Sequence, residues 1–181
     1  MDFYKAGRLI VGGVAAATAL GYTGALLIKQ SEGVSYTSYQ DSAGIWTICY
    51  GHTGPEVGPR QRATQAQCDA LFDKDVRRHA AGVLSCTKRP LNQNQFDAVV
   101  SLAFNIGVRN YCNSTLSRKI NAGDWAGAAN EFPKWNKVTI DGRKVVLRGL
   151  TNRRLKEQAL FMAPEAHDRA GRLALKELVT Q

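Results

Sequence analysis

The sequence has no Cys-x-x-Cys pair, no internal repeat and no low-complexity linker, and one stretch, Leu9 to Ile28, has no charged side chain at all. Without Cys-x-x-Cys the usual ligand spacing of a structural zinc site is missing, and no metal or cofactor is expected. RNP-type aromatics, paired Cys/His spacings and a basic leucine-zipper region are absent as well, which argues against a nucleic-acid partner. A mean hydropathy of −0.26 is too polar for a multi-pass membrane protein. Acidic residues are scarce: 15 Asp+Glu stand against 24 Lys+Arg, for a net charge of +9. That excess fits an anionic polymer or membrane surface, or a solvated basic surface that aids solubility. What is there is globular in composition, with 44% hydrophobic and 22% charged residues over 181 positions. The length suits one domain with a short appendage and is sufficient to bury a core.

The uncharged stretch carries the first positive signal. Lys5 and Arg8 precede it and Lys29 closes it. As a helix rising ~1.5 Å per residue it reaches ~30 Å, enough to cross a bilayer core. Its large aliphatics are Leu9, Ile10, Val11, Val14, Leu20, Leu26, Leu27 and Ile28, and the rest is Gly, Ala, Thr and Tyr22. The aliphatics contribute about −2 to −5 kcal/mol towards insertion, partly cancelled by the others, so insertion is marginal. Three readings compete. Ala17-Thr18-Ala19 resembles a signal-peptide cleavage site, although cleavage there leaves the apolar remnant Leu20 to Ile28 exposed. A permanent anchor is poorly hydrophobic. A segment exported as a signal anchor that later leaves the bilayer needs this weak hydrophobicity. Gly13, Ala17, Gly21 and Ala25 form a small-residue stripe at i, i+4 spacing, suited to packing in lipid or against the protein itself. The two leading cations favour a cytoplasmic N-terminus, with everything after Lys29 outside.

Beyond it the pattern changes. Tyr36, Tyr39, Ile45, Trp46, Ile48 and Tyr50 surround a turn at residues 41–44, which predicts a small β-hairpin lobe. Thr64 with Gln67 and Asn92 with Gln95 predict the starts of two helices, the second stopped by Gly107. Shorter helices are expected over Leu116 to Ile120, Asp124 to Phe132 and Thr151 to Met162, and a basic helical tail over Ala166 to Val179. The fold class is α+β, a small β-hairpin lobe on a mainly helical body with an N-terminal apolar helix. The segment 1–31 is expected to be the anchor and 32–181 the folded domain.

Three polar residues flank the hairpin: Glu32, Asp41 and Thr47. Glycoside hydrolysis needs one protonated carboxyl for the leaving oxygen and a second group to hold water or act as nucleophile. A hairpin brings its start, turn and return strand together. By themselves these residues read equally well as a surface partner of Lys29 and a common turn aspartate. Their context decides. Glu32-Gly33-Val34-Ser35-Tyr36, Tyr39-Gln40-Asp41, Gly44-Ile45-Trp46-Thr47-Ile48 and Gly51-His52-Thr53-Gly54 keep a Glu-x8-Asp-x5-Thr spacing. Leu71-Phe72-Asp73-Lys74-Asp75-Val76, Phe104-Asn105-Ile106-Gly107 and Gly149-Leu150-Thr151-Asn152-Arg153-Arg154 follow. From Glu32 to Phe161 the chain thereby resembles the phage-type lysozymes, or endolysins, of glycoside hydrolase family 24.

The resemblance implies a lysozyme-like fold and cleavage of the β-1,4 bond between N-acetylmuramic acid and N-acetylglucosamine in peptidoglycan, a polymer whose carboxylates suit the +9 charge. Glu32 is implied as the general acid. Asp41 and Thr47 would orient water on the opposite sugar face, giving inversion, and Asn105 would bind sugar or else cap its helix. His52 and Asp75 are implied as a structural ion pair. Cys86–Cys112 is the disulfide that related endolysins suggest. Cys49–Cys68 would be the second, with two free thiols as the alternative. Placement of the Gly/Ala-rich run directly before the acid resembles the signal-anchor-release subtype. Such an enzyme is exported to the periplasm, held transiently in the inner membrane by residues 9–28, and freed as a soluble monomer to lyse the host. Glu32 follows Lys29 by three residues, so at most ~10–11 Å of chain separates them. Some relatives trigger release by thiol exchange; here no cysteine precedes Cys49, and Asp41 stands where those relatives carry Cys. Control is therefore expected to be topological. A tethered peptidoglycan-binding protein without catalysis and a lytic transglycosylase using Glu32 alone are the alternatives.

Overall fold

The computed structural model describes residues 8–11, 14–17, 19–41, 43–164 and 180, with backbone alone for those up to 17. Strands β1 (Arg8–Val11) and β2 (Val14–Ala17) pair antiparallel, Val11 opposite Val14. Helix α1 (Tyr22–Glu32) follows. Strands β3 (Ser35–Gln40), β4 (Trp46–Cys49) and β5 (His52–Thr53) make a three-stranded antiparallel sheet in that order. The helical body comprises α2 (Gln65–Cys86), α3 (Gln93–Ile106), α4 (Val108–Cys112), α5 (Thr115–Ala122), α6 (Trp125–Ala129), a 3₁₀ turn at Phe132–Trp135 and α7 (Arg148–Met162). Between that turn and α7 runs an exposed hairpin of β6 (Lys137–Ile140) and β7 (Arg143–Val146).

The described part of residues 9–28 contains these two strands and the first turns of α1. Ile10, Val11 and Val14 are β-branched and lie in paired strands, where such side chains are favoured. The helix begins only after Gly21, whose backbone is extended (φ −80°, ψ 173°). Among the described residues no helix is long and apolar enough to cross a membrane. Lys5, Gly13, Thr18 and the basic tail expected over 166–179 lie outside the described residues.

Helix α3 is the centre of the core. Phe96, Ala98, Val99, Val100, Leu102 and Ala103 are fully buried, and with Asn94, Asp97 and Ser101 buried as well the helix is enclosed on nearly every side. It packs against α1, α2 and α7. Helix α1 contributes Ala25, Leu27 and Ile28 to that core, so one face of the second half of the uncharged stretch is buried, while Tyr22 on the other is 55% exposed. Both expected capping boxes are present: Thr64 with Gln67 starts α2, and Asn92 with Gln95 starts α3. Helix α6 is shorter than the expected Asp124–Phe132 span, and the chain then tightens into the 3₁₀ turn that contains Pro133, a residue without an N–H to continue a helix. The hairpin β6–β7 was not anticipated, although Asp141-Gly142 between β-branched runs is a strong two-residue turn signal; both residues have positive φ (48° and 75°).

The cysteines pair as Cys49–Cys68, joining β4 to α2, and Cys86–Cys112, joining α2 to α4.

Candidate active site

Glu32 is the last residue of α1. The helix stops there because Gly33 takes φ 68°, ψ −172°, a conformation open essentially to glycine alone, while its N–H reaches the Lys29 carbonyl at 3.0 Å. That abrupt stop leaves Glu32 on the rim of a cavity of 660 Å³ that is also lined by Asn105 at the end of α3 and by Leu147, Arg148, Asn152 and Arg153 around the start of α7. The Lys29 Nζ lies 2.6 Å from Asp69 and over the rings of Tyr50 and Phe72.

The carboxyl of Glu32 is held at one oxygen. Nη1 of Arg153 donates to Oε1 at 2.5 Å. Oε2 lies beside Gly51, where an added Cβ would sit 3.7 Å from it. The side chain is 22% exposed, so the carboxyl is open to the cavity while most of its surface is covered.

Behind this contact is a buried ionic cluster not recognised from the sequence. Arg153 also donates through Nη2 to the Ser101 carbonyl (3.2 Å) and through Nε to Glu157 (3.2 Å). Arg154 approaches Glu157 at 3.0 Å and donates to Asn105 Oδ1 at 3.1 Å. The Ser101 hydroxyl donates to Glu157 at 2.8 Å. Burial pushes the Glu157 carboxyl up against the pull of both guanidinium groups, and it pushes Arg154 down to about 10. The available signal was the placement of Glu157 three and four residues after an arginine pair, which on a helix puts all three on one side. Asn105 is exposed, lines the cavity and accepts from Arg154. The helix end is closed instead by Gly107, whose N–H bonds to the Ala103 carbonyl.

Asp41 and Thr47 are brought together at the far end of the β3–β4 hairpin. Oδ1 of Asp41 accepts from the N–H groups of Ala43 (2.8 Å) and Ile45 (2.9 Å), and the Thr47 hydroxyl donates to the Ile45 carbonyl at 3.0 Å. The peptide groups of Ile45 thus fix both side chains. Thr47 is buried and Asp41 half-buried, and neither lines the cavity beside Glu32. The two groups stand on the hairpin that starts three residues after Glu32.

His52 and Asp75 meet in the interior. Nδ1 lies 2.7 Å from Asp75 Oδ2, with both side chains nearly buried, and Nε2 faces Glu56 at 3.2 Å. This pair joins β5 to α2 away from the cavity. Among the described residues no group of three His, Cys, Asp or Glu side chains could hold a metal ion.

A family model described as phage lysozyme matches residues 29–157. An endolysin of Acyrthosiphon pisum secondary endosymbiont phage 1 is 44% identical over 76% of this chain and 94% of its own. The SAR-endolysin of Enterobacteria phage P21 is 37% identical over 84% of this chain and 90% of its own. Among solved structures, the muramidase domain of SpmX from Asticaccaulis excentricus superimposes with a TM-score of 0.76 at 36% identity, covering 80% of this chain and 98% of that one.

Proposed function

The chain belongs to the phage lysozyme family, and from that premise we propose that it is an inverting muramidase, an endolysin exported in a tethered, inactive form and activated on release. The carrying observation is the position of Glu32: last in its helix, on the rim of the cavity, one carboxyl oxygen fixed by Arg153 and the other directed past Gly51.

The substrate is peptidoglycan, cut between N-acetylmuramic acid and N-acetylglucosamine. Glu32 transfers a proton to the glycosidic oxygen as the C–O bond breaks. A water molecule held by Asp41 and Thr47 attacks the anomeric carbon from the opposite face, and Asp41 accepts the water proton. Hydrogen bonds from the Ala43 and Ile45 N–H groups keep the Asp41 carboxylate in place for this. His52 and Asp75 stabilise the lobe without touching the sugar. Asn105 contributes to sugar binding beside Glu32.

Residues 9–28 act as the membrane tether in the inner membrane, facing the periplasm. While they span the bilayer, Glu32 is pinned at its surface and α1 is not available to the core. Support comes from α1 itself, which places Leu27 and Ile28 of that stretch at zero exposure in the folded body, and from relatives named as SAR-endolysins.

Glu32→Gln should lower the rate of cell-wall hydrolysis by about 10²–10⁴-fold. Unchanged lysis by that variant would leave a binding protein. Anhydro-sugar ends among the products, in place of inverted reducing ends, would make it a transglycosylase. Replacing residues 9–28 by a stronger anchor should give a non-lytic protein, and full lysis from it would refute control by release.

A further inference from the structure

Asp97 on α3 is 1% exposed, yet no part of the hydrolysis just described uses it. A carboxylate is placed in a core only where donors offset the loss of water. Here the donors come from the start of α1. Oδ1 accepts from the Gly21 N–H at 2.7 Å and Oδ2 from the Gly24 N–H at 3.0 Å, across 76 and 73 residues of sequence. Gln93 donates to Oδ1 at 2.7 Å and to the Ala19 carbonyl at 3.0 Å, joining the carboxylate to the chain just before the helix. The first N–H groups of a helix have no partner within it, and a negative charge there is favourable. Gly21 has no side chain with which to cap, so Asp97 caps α1 from a neighbouring helix.

The fit requires glycine at both positions. A Cβ on Gly21 would come to 2.7 Å from Asp97 Oδ2, and one on Gly24 to 2.8 Å from Asp97 Cβ. These two glycines belong to the uncharged stretch. In one continuous helix spanning that stretch, the N–H of Gly21 would bond to the Ala17 carbonyl and that of Gly24 to Leu20. Neither would then be available to Asp97. The two arrangements exclude each other, because each N–H has one bond to give.

We propose that Asp97 is a positioning residue for the hydrolysis: by capping the start of α1 it sets where the last residue of that helix, Glu32, stands, and it does so only after the apolar stretch ceases to be one continuous helix. The proposal rests on Glu32 being the acid. Helix α1 spans ~16 Å and its buried face packs on α3. A displaced start therefore shifts the carboxyl away from Arg153, by rigid-body movement of a short helix. Among the described residues, Gln93 and the two N–H groups are the polar partners of Asp97.

The test uses the released enzyme with a soluble oligosaccharide of alternating N-acetylglucosamine and N-acetylmuramic acid. Asp97→Ala should lower kcat by about tenfold or more while changing KM by less than about twofold, since the proton transfer is affected and ground-state binding is not. The double variant Gly21→Ser/Asp97→Ala places a hydroxyl at the N-cap, within reach of the Gly24 N–H, in the space the carboxylate vacates. It should recover kcat to within about threefold of the parent. Unchanged kcat in Asp97→Ala overturns the proposal, as does a folded double variant as slow as the single one. Should Asp97→Ala fail to fold, Asp97→Asn keeps the shape with one acceptor fewer and is judged by the same kcat and KM criteria. Glu32→Gln, measured alongside, separates the two readings. If it is inactive and Asp97→Ala is unimpaired, only the positioning role fails. If Glu32→Gln retains full kcat, the acid assignment fails and the positioning role with it.

Discussion

Helices α1 and α2 are held in opposite ways. Helix α2 starts with its own Thr64/Gln67 capping box and is tied covalently near its beginning and at its end, through Cys68 to Cys49 and Cys86 to Cys112. Helix α1 has neither a local cap nor a disulfide. Its start is capped by Asp97 and its end is held by Arg153, 76 and 121 residues away from the groups they bind. A helix completed by distant partners depends on the body it docks against. That arrangement fits the proposed release, in which α1 docks on a body already held by the disulfides of α2.

The most damaging way to break this contrast is to remove the receiving end. Glu157 is fully buried between Arg153 and Arg154, and its loss leaves two guanidinium groups without their shared counter-charge. Glu157→Ala should cost about 3–5 kcal/mol in denaturant-induced unfolding and should reduce activity as well, because Arg153 loses the group that aims it at Glu32. A loss below about 1 kcal/mol would show that the cluster does not organise this end of α1.

How much of this could be read in the sequence follows the same division. The start of α2 and that of α3 are written within four residues, Thr64 to Gln67 and Asn92 to Gln95, and were legible. The turn that joins Asp41 to Thr47 is also local, and the hairpin it predicts is present. What holds Glu32 was not legible. Nothing local in Gly21 or Gly24 announces that Asp97 will meet them, since the contact exists only once α3 lies across α1. An uncharged run likewise carries no mark of where α1 will start within it, at Tyr22. Strands β6 and β7 were missed for a different reason: their Asp141-Gly142 turn was present in the sequence but sits inside a segment flanked by helical signals.

A second effect separates the two helices by pH. Burial raises the Asp97 carboxyl to about 6, whereas the undocked side chain returns to about 3.8. The docked state therefore binds the proton more tightly. The contribution of this group to stability is greatest below about 3.8 and is lost as pH rises through about 6. Its size is on the order of 2–3 kcal/mol across that window. Glu56, Asp69 and Glu131 are lowered and act in the opposite sense, losing stability as pH falls, so the quantity to measure is the difference between the parent and Asp97→Asn. That difference should change between pH 4 and 6.5 and be flat from about 7 upwards. A pH-independent difference would mean that Asp97 does not titrate while docked.

Glycine at the interface gives a sharper comparison. Gly24→Ala puts a methyl group against Asp97 Cβ and Cγ, both at 2.8 Å, and should cost about 1–3 kcal/mol. Gly149, in the first turn of α7, has nothing within 4 Å of an added Cβ. Gly149→Ala should therefore be neutral or stabilise by up to about 1 kcal/mol. Equal effects of the two substitutions in thermal unfolding would mean that α1 is not closely fitted to α3.

The smallest expected effect is also the most direct control on positioning. The Thr64 hydroxyl accepts from the Gln67 N–H and caps α2 locally. Thr64→Ala should cost about 1 kcal/mol, a fall in Tm of roughly 2–4 °C for a chain of this size. Because the Cys49–Cys68 disulfide lies one turn into the same helix, the frayed turn has little room to move. The rest of α2 should keep its place, and kcat should stay within about twofold of the parent. A cap that costs stability without rate, set beside Asp97, which is expected to cost rate without KM, distinguishes a helix that only supports the site from one that ends at the proposed acid, Glu32. A comparable loss of kcat in Thr64→Ala would show that any weakened helix slows the enzyme, and the special standing of α1 would go with it.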